Sequence, residues 1–144
     1  MTSFPKIKLL AIGKVKKSWI RDGLEVYQKR LPELSMVELK DTNPDKEGEL
    51  ILSQIKGRDR LIALTEAGQC YSSVQFAELV SRAESGSLVF AIGSAEGLSQ
   101  SVKRSAAQCL SLSPMTFPHE LARLLLLEQL YRAKSILQGT SYHK

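Results

Sequence analysis

Apolar residues fall along this chain in two rhythms: short unbroken runs, and longer stretches at helical spacing. Ile7 to Ile12 is a short apolar run that reads as a buried strand, and Gly13 breaks it. Trp19, Ile20, Leu24, Tyr27 and Leu31 then recur at the spacing of one helix face, with Arg21, Lys29 and Arg30 outward, until Pro32 ends the element. Met36 to Leu39 predicts a second strand. Asp41-Thr42-Asn43-Pro44-Asp45 is turn chemistry, and Pro44 suits the first turn of a helix that Ile51 and Ile55 carry to Gly57. Arg60 to Thr65 predicts a third strand around Leu61 to Leu64, followed by a loop at Ala67-Gly68-Gln69. Ser72 with Gln75 has the form of a capping box, ahead of a helix face of Phe76, Ala77, Val80 and Ala83. Leu88 to Ile92 is apolar on both faces, as a central parallel strand is. Ser99 caps a short helix, Cys109 to Leu112 forms a fifth strand, and a loop from Pro114 to Pro118 leads into a long last helix. Strands alternating with helices predict a single α/β domain over residues 1–144, with a mostly parallel sheet flanked by helices.

The last helix carries two apolar stripes. Ala122, Leu125, Leu126, Leu130, Ala133, Ile136 and Leu137 make one wide face at 3.6-residue spacing. Leu124, Leu127 and Tyr131 fall on the other side, among Glu120, Arg123 and Lys134. Scattered exposed leucines are common on any surface. The i, i+3, i+7 spacing instead suggests burial on both sides, by the core and by a partner subunit.

Composition narrows the partners. Of 144 residues, 43% are hydrophobic and 24% charged, as in ordinary globular domains, and the formal net charge of +5 favours polyanionic partners. Cys70 and Cys109 stand apart without a Cys-x-x-Cys pattern, which suits a reducing cytoplasm; with two histidines, no zinc site is expected. The early lysines precede no long apolar core, so no signal peptide is expected. The longest leucine run, Leu124 to Leu127, is too short for a membrane span.

Two strand-to-helix loops hold the candidate chemistry. Gly93-Ser94-Ala95-Glu96-Gly97 follows a buried strand, at the end where open parallel sheets bind ligands; a plain connector with two turn glycines is the simpler alternative. No G-x-G-x-x-G, Walker loop or G-x-S-x-G is present, which argues against a dinucleotide fold, a P-loop and a serine hydrolase. Leu112 to Pro118 holds two prolines that stiffen it, and its amides suit a polar ligand. At the chain end stand Tyr142, His143 and Lys144. Termini usually fray, but an aromatic, an imidazole and a cation together suit stacking on a base, proton exchange and contact with a phosphate.

Taken together, these segments resemble the RlmH family, small SPOUT-class 23S rRNA pseudouridine N3-methyltransferases. The likeness runs nearly end to end, through Ala11-Ile12-Gly13-Lys14, Tyr27-Gln28-Lys29-Arg30 and Ile62-Ala63-Leu64. It is most specific in Ile92-Gly93…Gly97-Leu98, Met115-Thr116-Phe117-Pro118-His119, Arg123, Glu128-Gln129-Leu130-Tyr131-Arg132-Ala133 and Tyr142-His143-Lys144.

The resemblance implies a SPOUT-type C-terminal trefoil knot whose loops bind S-adenosylmethionine in a bent shape. By motif position the cofactor contacts are Leu64, Gly93 and the run Leu112, Ser113, Pro114, Met115, Thr116 and Phe117. It implies a homodimer in the cytoplasm, with no membrane and no metal, acting on 23S rRNA in the assembled ribosome at pseudouridine-1915 of a large-subunit hairpin loop. The expected roles are His143 positioning the base or accepting the N3 proton, Tyr142 stacking or orienting, and Arg123 and Lys144 favouring developing negative charge and holding phosphate. Three departures stand out. Ser94 replaces a second glycine, Pro114 removes an amide donor, and Asp41 to Glu49 is shorter than in relatives. The alternatives are a non-catalytic, ribosome-associated RNA-binding protein on the same scaffold, and a flavodoxin-like nucleotide-binding domain holding phosphate at Gly93 to Gly97.

Overall fold

Ten elements alternate along the chain in the computed structural model, which describes residues 4–83 and 86–143. They are β1 (Ile7–Ile12), α1 (Ser18–Arg30), β2 (Leu34–Leu39), α2 (Pro44–Ser53), β3 (Arg60–Cys70), α3 (Ser73–Ser81), β4 (Leu88–Ile92), α4 (Gln100–Ser105), β5 (Gln108–Ser111) and α5 (His119–Gln138). The strands form one sheet in the order β2-β1-β4-β3-β5, and every strand pair is parallel. The single α/β domain read from the sequence is therefore present.

Period-two alternation sends side chains to two cores. Leu9, Ala11, Phe90 and Ile62 point to the layer that holds α1, α3 and α5. Leu10, Ile12, Val89 and Ala63 point to the layer that holds α2 and α4. β4 is buried at every position because it lies between β1 and β3 with helices on both faces. The Ser72–Gln75 capping box forms as predicted.

Two expectations are corrected. Ala67-Gly68-Gln69 is not a loop, because β3 runs on to Cys70. Leu64 and Gln69 both pair with Leu110, so the intervening residues form a bulge. Gly68 makes this possible, since a Cβ there would lie 2.7 Å from backbone atoms of Cys109 and Leu110.

The second stripe of the last helix is covered in part by this chain itself. α5 lies between α1 and α3. Leu126, Leu127 and Leu130 are fully buried, each stabilising the fold by about 1.5–3 kcal/mol. Leu124 meets Gly23 of α1, where a Cβ would come within 3.0 Å of it, and the Tyr131 ring packs 6.1 Å from Tyr27. Leu127 therefore needs no partner subunit, while Leu124 and Tyr131 are half-buried against the core. Trp19, 58% exposed, and Val26, 45% exposed, are instead the uncovered apolar residues of α1.

A Schellman motif closes α5. Gly139 takes a φ of 72°, its N–H donates to the Ile136 carbonyl, and the Thr140 N–H donates to the Ser135 carbonyl at 3.0 Å. That turn folds the tail back along the helix. Among the described residues, no helix is long and apolar enough to cross a membrane.

Candidate active site

The bulge of β3 and the carboxyl ends of β4 and β5 open onto one cleft of about 750 Å³. Leu64 to Ala67 form one wall, Gly93 to Leu98 a second, and Leu112 with Met115 to Pro118 a third, while His119 and Ala122 of α5 close the base. Every position expected to touch the cofactor lines this cleft except Pro114, which is exposed outside it.

Glycine shapes the second wall. A Cβ on Gly93 would lie 2.6 Å from the Gly97 carbonyl carbon and 2.9 Å from the Leu98 nitrogen. Gly97, at φ +84°, reverses the chain so that its N–H donates to the Ser94 carbonyl at 2.9 Å. Ser94 needs no positive φ, so the strain a serine would suffer there does not arise. Its hydroxyl donates to Glu47 Oε1 at 3.1 Å. The third wall is tied by side chains. Ser113 Oγ accepts from the Met115 N–H at 3.0 Å, and Thr116 Oγ1 donates to Glu66 Oε2 at 2.7 Å. Met115 remains 74% exposed at the cleft mouth.

Glu120 fixes the start of α5. Its carboxylate accepts the N–H groups of Lys16 and Lys17 at 2.9 and 3.2 Å. Burial alone would raise its pKa, but these two bonds and nearby positive charge outweigh burial and hold it below the usual carboxylate value.

The tail residues lie elsewhere. Tyr142 donates to Glu128 Oε2 at 2.8 Å, stacks edge-on to Tyr131 at 4.7 Å and lies under the Arg132 guanidinium at 5.0 Å. Burial, reinforced by its bonds to Tyr27 and Glu128, pushes the Tyr142 phenol well up, so it remains a proton donor at neutral pH. Burial would raise Glu128, but the bonds from Arg132 and Tyr142 prevail and lower it. His143 Nδ1 sits 3.0 Å from Arg132 Nη1. About 15 Å of helix separates Arg132 from Ala122 at the cleft base. Within one chain, His143 and Tyr142 are therefore not brought to the cleft.

Arg123 does not meet the expectation of a phosphate or substrate contact. It is 1% exposed, with Nη1 2.7 Å from Glu38 Oε2 and Nη2 3.1 Å from the Gly13 carbonyl. Its Nε is buried without a partner, so its guanidinium pins α5 to β1 and β2 instead of facing solvent. Lys144 lies outside the described residues.

The contacts of Arg132, Glu128 and Glu47 were not foreseen from the sequence. Arg132 and Glu128 were visible as an i, i+4 ion pair. Glu47 had no local signal. Among the described residues, no group of three or more His, Cys, Asp or Glu is placed to hold a metal ion.

The chain is similar to known proteins. A family described as "Predicted SPOUT methyltransferase" matches residues 5–143. The chain is 54% identical over 139 residues to ribosomal RNA large subunit methyltransferase H of Prochlorococcus marinus, covering 96% of each. It is 49% identical over the same length to the protein of that name from Parasynechococcus marenigrum, again covering 96% of each. A solved probable methylase family protein from Haemophilus influenzae superposes with a TM-score of 0.63 at 12% identity, over 99% of this chain and 72% of that one, a likeness of fold alone. The parallel sheet, the three-loop cleft and these matches together establish that the chain belongs to the SPOUT methyltransferases, in the family of ribosomal RNA large subunit methyltransferase H.

Proposed function

We propose that this protein methylates 23S rRNA, moving the methyl group of S-adenosylmethionine to N3 of a pseudouridine within the assembled ribosome. The observation that carries the reading is the convergence of the family's cofactor positions on one cleft. The residues present fit that cofactor. Leu64, Ile92, Leu98 and Phe117 offer apolar walls for an adenine, Gly93 permits close backbone approach, and the volume of about 750 Å³ suits a ligand of this size. When bound, the cofactor supplies an electrophilic methyl on a sulfonium. The protein's own task is to align the base and manage its N3 proton.

His143 is suited to that task as a donor. Arginine carries donors only, so the Arg132 contact makes Nδ1 an acceptor and leaves the neutral ring's proton on Nε2. That N–H suits a carbonyl oxygen beside N3, whose negative charge grows as the N3 proton leaves to solvent. Tyr142, held by Glu128 and Tyr131, suits the orientation of the ring.

The tail and the cleft of one chain stand apart, which favours a homodimer in which each tail completes its partner's cleft. Exposed Trp19 and Val26, seven residues apart on α1, offer an apolar face for the second copy. Trefoil threading of the C-terminal segment belongs to the same reading. A domain of 144 residues with net charge +5 has little surface for reading sequence, which favours recognition of the ribosome's shape. The departures at Ser94 and Pro114 do not favour a non-catalytic role, since neither obstructs the cleft.

The test is methyl transfer from labelled S-adenosylmethionine to ribosomes lacking the modification, with free 23S rRNA alongside and mapping of the label. The expected result is label on one pseudouridine in ribosomes and little in free RNA. No label from folded protein overturns the reading.

A further inference from the structure

Glu47 is 2% exposed, yet its two hydrogen-bond partners are neutral. Oε1 accepts from the Ser94 hydroxyl at 3.1 Å, and Oε2 accepts from the Thr42 N–H at 2.8 Å. Among the described residues no ion pair includes Glu47, and its carboxyl is held by hydrogen bonds and helix geometry. Glu47 lies in the first turn of α2, where unpaired N–H dipoles favour negative charge. Asn43 caps that helix by accepting the Lys46 N–H at 3.0 Å, and Glu47 spans from the Thr42 N–H just before the cap to Ser94. Gly48 lets this turn press against the segment leaving the cleft loop, since a Cβ there would lie 2.4 Å from Ser99 Oγ.

Ser94 lines the cleft, and its hydroxyl proton goes to Glu47. With that proton committed, the Ser94 hydroxyl has only lone pairs left to offer a ligand. Such a wall suits a hydroxyl, an amino group or a cation and disfavours phosphate oxygens. We propose that Glu47 is a positioning residue that acts through Ser94: it fixes the Gly93–Gly97 wall and makes that wall an acceptor for donor groups of S-adenosylmethionine. This rests on the methyl-transfer reading above, and it counts against a phosphate-bearing nucleotide in the same cleft.

The test is calorimetric titration of S-adenosylmethionine into wild type, Ser94→Ala, Glu47→Gln and the double variant, with steady-state kinetics and thermal melts on each. Ser94→Ala removes the bond and leaves the Glu47 side chain in place, and its melt shows that it is folded where Glu47→Gln folds poorly. Each single variant is expected to weaken cofactor binding about tenfold and to raise its KM with little change in kcat. The double variant is expected to be no weaker than the weaker single, because both changes break one bond. Unchanged affinity in Ser94→Ala, or losses in the double variant that multiply, would overturn the proposal while leaving methyl transfer intact. A wild-type chain that binds no S-adenosylmethionine removes both readings together.

Discussion

Arg132 grips two partners at once, donating from Nη2 to Glu128 Oε2 at 2.7 Å and from Nη1 to His143 Nδ1 at 3.0 Å. One guanidinium thus links the last helix to the chain's terminal imidazole and sets which ring nitrogen carries the proton. Arg132→Met is expected to release that bias. In a ¹⁵N spectrum of the imidazole, wild type should show the Nε2–H tautomer, and the variant a mixture, with turnover falling about tenfold or more. Wild type with its proton on Nδ1 would refute the assignment.

Arg123 illustrates a charge used for structure. Its guanidinium bridges Glu38 and the Gly13 carbonyl from a fully buried position. Arg123→Met removes those bonds and exposes the carbonyls to an apolar side chain. The expected loss is about 3 kcal/mol, or a melting temperature lower by roughly 10 °C. Glu38→Gln should cost about 1–3 kcal/mol, because the amide oxygen can still accept from Arg123 while the buried guanidinium loses its counter-charge. An Arg123→Met protein with unchanged melting but no turnover would return Arg123 to the chemistry.

Glu120 gives the acid limb of stability a defined contributor. Its folded pKa lies below its ordinary value of 4.5, so the native state binds its proton less readily than the unfolded chain. The stability it contributes is fully present above 4.5 and lost as pH falls through the lowered folded value. Glu120→Gln should therefore be less stable than wild type by a constant amount from neutral pH to about 5, with the gap closing in stronger acid. Denaturant melts across pH measure this; a gap that widens on acidification would contradict the sign.

Much of the fold is legible because each element carries its own local signal. β4 is an apolar run, α3 opens on a capping box, and Pro44 marks the start of α2. What stayed hidden was non-local. Gly68 and its polar neighbours look like a loop, and only the approach of β5 shows why the strand continues. Leu127 fell on the outward stripe because a helical wheel assumes one buried arc, whereas α5 is flanked by two helices above a sheet. Arg123 read as surface because charge usually does. The cleft lining was legible through the resemblance of motifs; the Glu47–Ser94 bond, spanning 47 residues, was not.

The separation of tail from cleft makes a sharp prediction about assembly. Gly93→Ala would drive a Cβ into the Gly97 backbone at 2.6 Å and should distort the cleft wall, weakening cofactor binding more than tenfold. His143→Ala leaves the cleft intact but removes the donor for the base. Each variant alone should lose most turnover. If a tail serves the partner's cleft, mixing the two and allowing subunits to exchange creates dimers with one complete site. Activity should then recover to about a quarter of wild type, since half the dimers are mixed and each has one working site. Trp19→Glu, introduced into both variants, should lower the sedimenting mass and abolish that recovery. No recovery from stable, exchanged dimers would mean that each tail serves its own chain, and that a conformational change carries His143 the length of α5.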